Sequence, residues 1–290
     1  MKTLHLLLLL VLATACAEAP PPLTRPIAAV AAAERAFSAR AQVVNARDAF
    51  VENFAPDAIL FAPEPAPAFP GLTEGPPWGV NIVWGPAAVG ASCSGDLGWT
   101  TGPADYRREP GGEVHRRGYY SSVWTRTADG PWKVLVDLGV GIPLDAPREA
   151  DWQDGAGQPP CPPVTADAAG FTTDLARAAA LLASLTEGDA VAALGARLHP
   201  EVRLHRSGAA PVLGAEAVRQ ALADRPRLKL TSTGLRAAAS GDLGFSFGRG
   251  AWLDASGDQR FVYLFIWERV AGAWTLRLIV QDAVKPSPAS

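Results

Sequence analysis

Charge concentrated in one place is missing from this chain. Charged residues are 19% of the 290, the formal net charge is −3, and no basic cluster interrupts the sequence. Phosphate-backbone binding needs concentrated positive charge, so nucleic acid is excluded as a partner. There is no G-x-S-x-G elbow, no phosphate loop and no dinucleotide fingerprint. Nucleophilic hydrolysis, nucleotide binding and a redox cofactor are therefore unsupported, and no cofactor is expected. Cysteine is scarce, with three residues. His199, Glu201 and His205 alternate near the start of an expected strand but lack the compact spacing of a zinc site, so no metal is expected either. Beyond the first residues, no run is long and apolar enough to cross a bilayer as a helix.

What is present begins with an N-terminal address. Lys2, the apolar run Leu4–Leu12 and the small triplet Ala13-Thr14-Ala15 predict a secretory signal over residues 1–15. Leu12-Ala-Thr-Ala-Cys16 resembles a bacterial lipobox, which implies lipidation of Cys16, a tether over 16–25 and an exported protein held at the membrane through that lipid alone. The alternative is an ordinary cleaved signal. Export to an oxidising compartment permits a Cys93–Cys161 disulfide. Otherwise one thiol is buried and one exposed.

The pentapeptide Ser-Gly-Asp-Leu-Gly occurs at Ser94–Gly98 and again at Ser240–Gly244. Around it the order is kept: Trp99-Thr-Thr-Gly102 matches Phe245-Ser-Phe-Gly248, Tyr120-x-x-x-Trp124 matches Tyr263-x-x-x-Trp267, and Trp132 matches Trp274. A repeat this long means two complete domains, over 26–140 and 167–284, joined by a Pro/Gly-rich linker at 141–166 and followed by a tail at 285–290. Each copy reads as helices followed by strands. Ile27, Val30, Phe37 and Ala41 share one helix face, as do Phe171, Leu175, Ala179, Leu182 and Leu185. Asn45 with Asp48 predicts the cap of a second helix. Prolines 63 to 77 predict a loop that is neither helix nor central strand, where domain 2 has a helix over Ala215–Ala223. Phe261, Tyr263, Phe265 and Trp267 alternate with Val262, Leu264 and Ile266, so this strand is apolar on both faces and must be covered on both.

The Glu34-Arg-Ala-Phe37 helix, the segment Phe54-Ala-Pro-Asp-Ala-Ile-Leu-Phe61, the Ser94–Gly102 stretch and Val123-Trp-Thr-Arg-Thr-Ala-Asp-Gly-Pro-Trp132 resemble the NTF2-like superfamily, its SnoaL-like and DUF4440-type domains in particular. That resemblance implies an α+β fold: two tandem cone-shaped domains, each with N-terminal helices packed on a curved antiparallel sheet and a pocket inside the cone. It also implies pairing of domains through their sheets.

Pocket-lining candidates are Trp99, Tyr106, Tyr120, Trp124, Phe245, Tyr263 and Trp267. Acid–base candidates in domain 1 are Asp96, Asp105 and Asp137, with Tyr106, Tyr120 and His115 near. Asp96 and Asp242 recur, but the flanking residues make them hairpin-turn residues bonding to backbone. Three functional expectations follow: a small hydrophobic or aromatic ligand bound without catalysis, a proton-transfer isomerase or lyase in the domain 1 cone, or a structural envelope module with filled cones. A carboxylate facing the cone beside a Tyr or His separates the first two.

Overall fold

A computed structural model describes residues 24–74, 78–128, 130–154, 161, 167–225, 227–254 and 257–284. The expected signal, the lipidation at Cys16, most of the tether and the tail lie outside these residues.

The first half runs α1 (Ile27–Val43), α2 (Ala46–Asn53), β1 (Phe54–Phe61), β2 (Pro65–Pro67), α3 (Gly71–Glu74), β3 (Asn81–Trp84), β4 (Ala88–Ala91), β5 (Leu97–Arg107), β6 (Val114–Thr125) and β7 (Lys133–Ile142). The second runs α4 (Ala168–Thr186), α5 (Ala190–Gly195), β8 (Leu198–Arg206), β9 (Val212–Leu213), α6 (Ala215–Leu222), β10 (Arg227–Ala237), β11 (Leu243–Asp254), β12 (Gly257–Val270) and β13 (Ala273–Ala283). The strand orders correspond one to one. The first sheet is β2-β1-β7-β6-β5-β3, with β4 also on the β5 edge, and the second is β9-β8-β13-β12-β11-β10.

Two expectations need correction. The sheets are not wholly antiparallel, because β1 pairs with β7, and β8 with β13, in parallel. The helices between those strands in sequence carry no crossover; the first strand of each half simply returns beside the last. The proline segment is not bare loop. Pro65–Pro67 adds an edge strand to β1, where a missing N–H is tolerated, and Gly71–Glu74 makes one helical turn in place of α6. The Asn45 cap forms, its Oδ1 accepting from Asp48 N at 2.9 Å.

Strand parity sorts the core. On β12, Phe261, Tyr263, Phe265 and Trp267 face α4 inside their own cone, whereas Val262, Leu264 and Ile266 face the first domain's sheet. With Leu243, Phe245, Phe247, Leu278 and Val280 they join one continuous apolar cluster with Trp99, Tyr119, Val123 and Leu138 of the first half. The two sheets therefore pack face to face.

The repeated hairpins meet across this contact. Ser94 N donates to Ser240 Oγ and Ser240 N to Ser94 Oγ, both at 3.1 Å. Asp96 Oδ2 accepts from Ala239 N at 3.1 Å, and Asp242 Oδ2 accepts from Cys93 N at 3.1 Å. Every bond has its mirror, the signature of a two-fold contact, here within one chain. Gly95 (φ +68°) and Gly241 (φ +66°) supply the left-handed turns that present these backbones. The repeated aspartates are turn residues, but they bond the other domain's hairpin as well as their own. Cys93, beside this clasp, forms a disulfide with Cys161 and ties the linker to it.

Candidate functional site

The two cones differ inside. In the first, α1 delivers Glu34, fully enclosed, against the sheet. Its Oε1 accepts from Trp84 Nε1 at 2.5 Å; its Oε2 accepts from Thr100 Oγ1 at 2.5 Å and Trp124 Nε1 at 3.2 Å. Burial raises its carboxyl to about 7, against the pull of those donors. Asp137 of β7 accepts from Ser122 Oγ at 2.7 Å, and burial raises it to about 6. Tyr120 shares this interior; its hydroxyl is buried without a hydrogen-bond partner among the described residues, and burial, with Glu34 next, pushes its pKa well up. Tyr106 lies over Gly118 and Gly139 on the same face, with the Arg116 guanidinium 3.8 Å from its ring centre.

In the second cone the matching positions are apolar or small. The Gly98–Val30 and Gly244–Leu175 contacts fix the correspondence of α1 with α4, which puts Ala179 where Glu34 stands. Sheet register puts Leu230 at Trp84, Phe265 at Ser122 and Ile279 at Asp137. The Trp–hydroxyl pair survives: Trp267 Nε1 donates to Ser246 Oγ at 2.9 Å, as Trp124 Nε1 donates to Thr100 Oγ1 at 2.9 Å. The space that Glu34 and Trp84 occupy in the first cone is a cavity of about 210 Å³ in the second. Its walls are alanines of α4 (Ala176, Ala179, Ala183), Leu230 of β10, and Tyr263, Phe265 and Trp267 of β12. Ala180 and Ser232 at its edge are exposed, so it opens between α4 and β10. Polar anchors are few: Ser246, Ser232 and the Tyr263 phenol, which burial pushes up to about 12 against the pull of the Ser232 hydroxyl.

The sequence candidates divide accordingly. Tyr263 and Trp267 line the open cavity. Tyr120 and Trp124 stand in the closed cone, and Tyr106 lies on its face. Trp99 and Phe245 do not line a cone: their parity turns them into the sheet–sheet contact. Asp105 is on that same outer parity, held by Arg117 at 3.3 Å and Arg148 at 3.2 Å. His115 is exposed. His205 is buried between the domains, with Tyr119 4.8 Å away ring to ring and Thr101 Oγ1 3.4 Å from its Nδ1. Burial lowers His205 to about 3. His199 lies apart, in an interdomain cleft. Among the described residues no three His, Cys, Asp or Glu side chains converge as metal ligands. Glu34 was not among the site candidates, although it interrupts the apolar stripe of α1.

No protein-family model matches this chain, and no curated protein matches it. Solved structures align with it over a little under half its length. A protein of unknown function with a cystatin-like fold from Nostoc punctiforme is 15% identical, over 43% of this chain and 98% of that one, at TM-score 0.35. An NTF2-like protein of unknown function from Shewanella oneidensis is 14% identical, over 38% and 98%, at 0.34. A ketosteroid isomerase-like protein from Erwinia carotovora is 13% identical, over 41% and 99%, at 0.35.

Proposed function

We propose that this protein is an exported binder of a small hydrophobic or aromatic molecule, held without catalysis in the second cone. The observation that carries this reading is the cavity of about 210 Å³ walled by α4 alanines, Tyr263, Phe265 and Trp267. An apolar cavity of about 150 Å³ is enough to take up benzene, so a ring with a short substituent fits here. The Ser232–Tyr263 pair gives one place for a polar substituent. Proton transfer would need a base beside that space, and the equivalent positions hold Ala179 and Ile279. The acids are in the first cone, where both Glu34 oxygens already accept hydrogen bonds. A filled, structural cone describes the first domain better than the second. The Cys93–Cys161 disulfide favours an oxidising compartment, and with the lipobox-like sequence supports a lipid anchor at Cys16.

The test is ligand-observed NMR with indole and benzyl alcohol on the wild type and on Ala179→Phe. Phenylalanine there fills the cavity from the helix side. Binding to the wild type and loss of about tenfold or more in the variant is the expected result. No binding to the wild type, or equal binding to both, overturns the reading.

A further inference from the structure

The face-to-face pairing leaves two clefts, one on each side of the clasp and related by the same pseudo-two-fold. One, of about 570 Å³, is lined by Arg25, His199, Arg203, Glu268, Arg269 and Arg277, among others. The other, of about 590 Å³, is lined by Asp57, Thr125, Arg126, Lys133 and Arg236 together with apolar Ala and Pro side chains. Segment Ala55-Pro-Asp57 of the second cleft stands where His199-Pro-Glu201 stands in the first, and Thr125-Arg-Thr127 where Glu268-Arg-Val270 stands.

Charge is balanced differently in the two. In the first cleft every lining arginine has a carboxylate: Arg25 with Asp242 at 2.9 Å, Arg203 with Glu149 at 2.7 Å, Arg269 with Asp174 at 2.8 Å and Arg277 with Glu201 at 2.8 Å. In the second, no lining cation is ion-paired among the described residues. Arg126 Nε donates to the Gly95 carbonyl at 2.7 Å, Lys133 Nζ to the Glu52 carbonyl at 2.5 Å, and Arg236 to Thr125 Oγ1 at 2.7 Å. The repeat shows which acids are gone. Asp174, the partner of Arg269, corresponds to Ala29, and Glu268 corresponds to Thr125. Of the carboxylates that remain near, Asp96 already accepts from Ser92, Ser94 and Ala239, the Glu52 carboxylate is taken by Arg40, and Asp57 is exposed at the rim. Asp57 and Asp96 still act on Arg236 through space. Arg236 remains a half-buried guanidinium with an unused fork of donors, the geometry that takes a carboxylate or phosphate oxygen pair.

We propose that this cleft binds the acid group of a small organic anion, an oxyanion on a compact body, with Arg236 and Arg126 as its donors and Lys133 as a supporting charge. The site needs both domains, since Arg236 comes from β10 of one and Arg126 and Lys133 from the β6–β7 corner of the other. It is separate from the cone and does not depend on it.

Calorimetric titration of the mature full chain with benzoate and with phenyl phosphate tests this, and the two probes tell a carboxylate from a phosphate. At least one acid should bind, and its affinity should fall several-fold as salt rises toward about 0.5 M. Arg236→Gln should weaken it about tenfold or more. Thr125→Glu should do the same by placing, where the Thr125 hydroxyl now accepts from Arg236, the carboxylate that Glu268 supplies across the pseudo-axis. Ala179→Phe should leave acid binding unchanged, which separates this site from the cone. Failure of both acids to bind, wild-type affinity retained in Arg236→Gln and Thr125→Glu, or loss of acid binding in Ala179→Phe overturns the proposal.

Discussion

In the first half of the chain the space between helix and sheet is closed by Glu34 and Trp84; in the second the same two positions carry Ala179 and Leu230, and the space stays open. Strand order, the parallel first-to-last strand pair and the Trp–hydroxyl bond are common to both. A fold can therefore be kept while its interior is converted from a polar plug to an apolar cavity by a few substitutions. The plug is expensive to assemble, because a buried carboxyl must be fully hydrogen-bonded. The cavity gives up packing that the first cone retains. One copy is filled between helix and sheet, and the other is left open there.

Removing the plug is the strongest way to break this comparison. Glu34→Ala leaves Trp84 Nε1 and Thr100 Oγ1 without their acceptor, while Trp124 Nε1 keeps Thr100 Oγ1, and opens a hole beside Phe37. Unsatisfied buried donors cost about 1–3 kcal/mol each, and partial relaxation brings the expected total to about 4 kcal/mol. Urea unfolding of the two proteins measures it. The reverse substitution at the matching site, Ala179→Phe, fills a cavity and should cost far less. Equal losses at the two positions would mean that the cones are not different in kind.

The clasp comes next. Asp96 and Asp242 make mirrored bonds to the opposite hairpin, but among the described residues only Asp242 is also ion-paired with an arginine, Arg25 at 2.9 Å. Asp242→Ala should cost about 2 kcal/mol and Asp96→Ala about 1 kcal/mol. Equal values would show that the Arg25 pair contributes nothing, and additivity in the double variant would show that the two halves of the clasp act independently.

Much of this architecture is legible in the sequence because it rests on pattern. The doubled pentapeptide, the spaced tryptophans and the doubly apolar β12 report period and parity, which are local. What the sequence does not report is which face of a strand looks where when both faces are apolar. Trp99 and Phe245 read like cone residues by type and turn into the interface by parity. The Asp96 and Asp242 side chains read like ordinary turn residues because their cross-domain partners are distant in sequence. Glu34 carried a signal, a charge at helical spacing within Ile27, Val30, Phe37 and Ala41, which only a buried and bonded acid can satisfy. The open cone was less visible still: an alanine stripe on α4 looks like helix propensity until Leu230 opposite fails to fill the gap.

The last comparison is in titration, where two acids and one histidine oppose one another. Glu34 rises from 4.5 to about 7 on folding and Asp137 from 3.8 to about 6. The folded protein thus holds protons that the unfolded chain has released, and each group's stabilisation is lost as pH rises through those windows. His205, buried on the second domain's outer face, falls from 6.5 to about 3. There the unfolded chain binds the extra proton, so stability is lost as pH falls from 6.5 toward 3. Between about 4.5 and 6 the two acids outweigh the one histidine and the wild-type urea midpoint should decline with pH; between about 6 and 6.5 Glu34 and His205 offset; between 6.5 and 7 only Glu34 remains and the midpoint should decline again, then level. Glu34→Gln should remove those declines, leaving a midpoint that is nearly flat where Asp137 and His205 offset, up to about 6, and that improves with pH between about 6 and 6.5. His205→Gln should do the opposite and leave a midpoint that worsens with pH from about 4 upward. Parallel profiles for all three proteins would mean that neither the plug nor the interface histidine is titrating out of step with the unfolded chain.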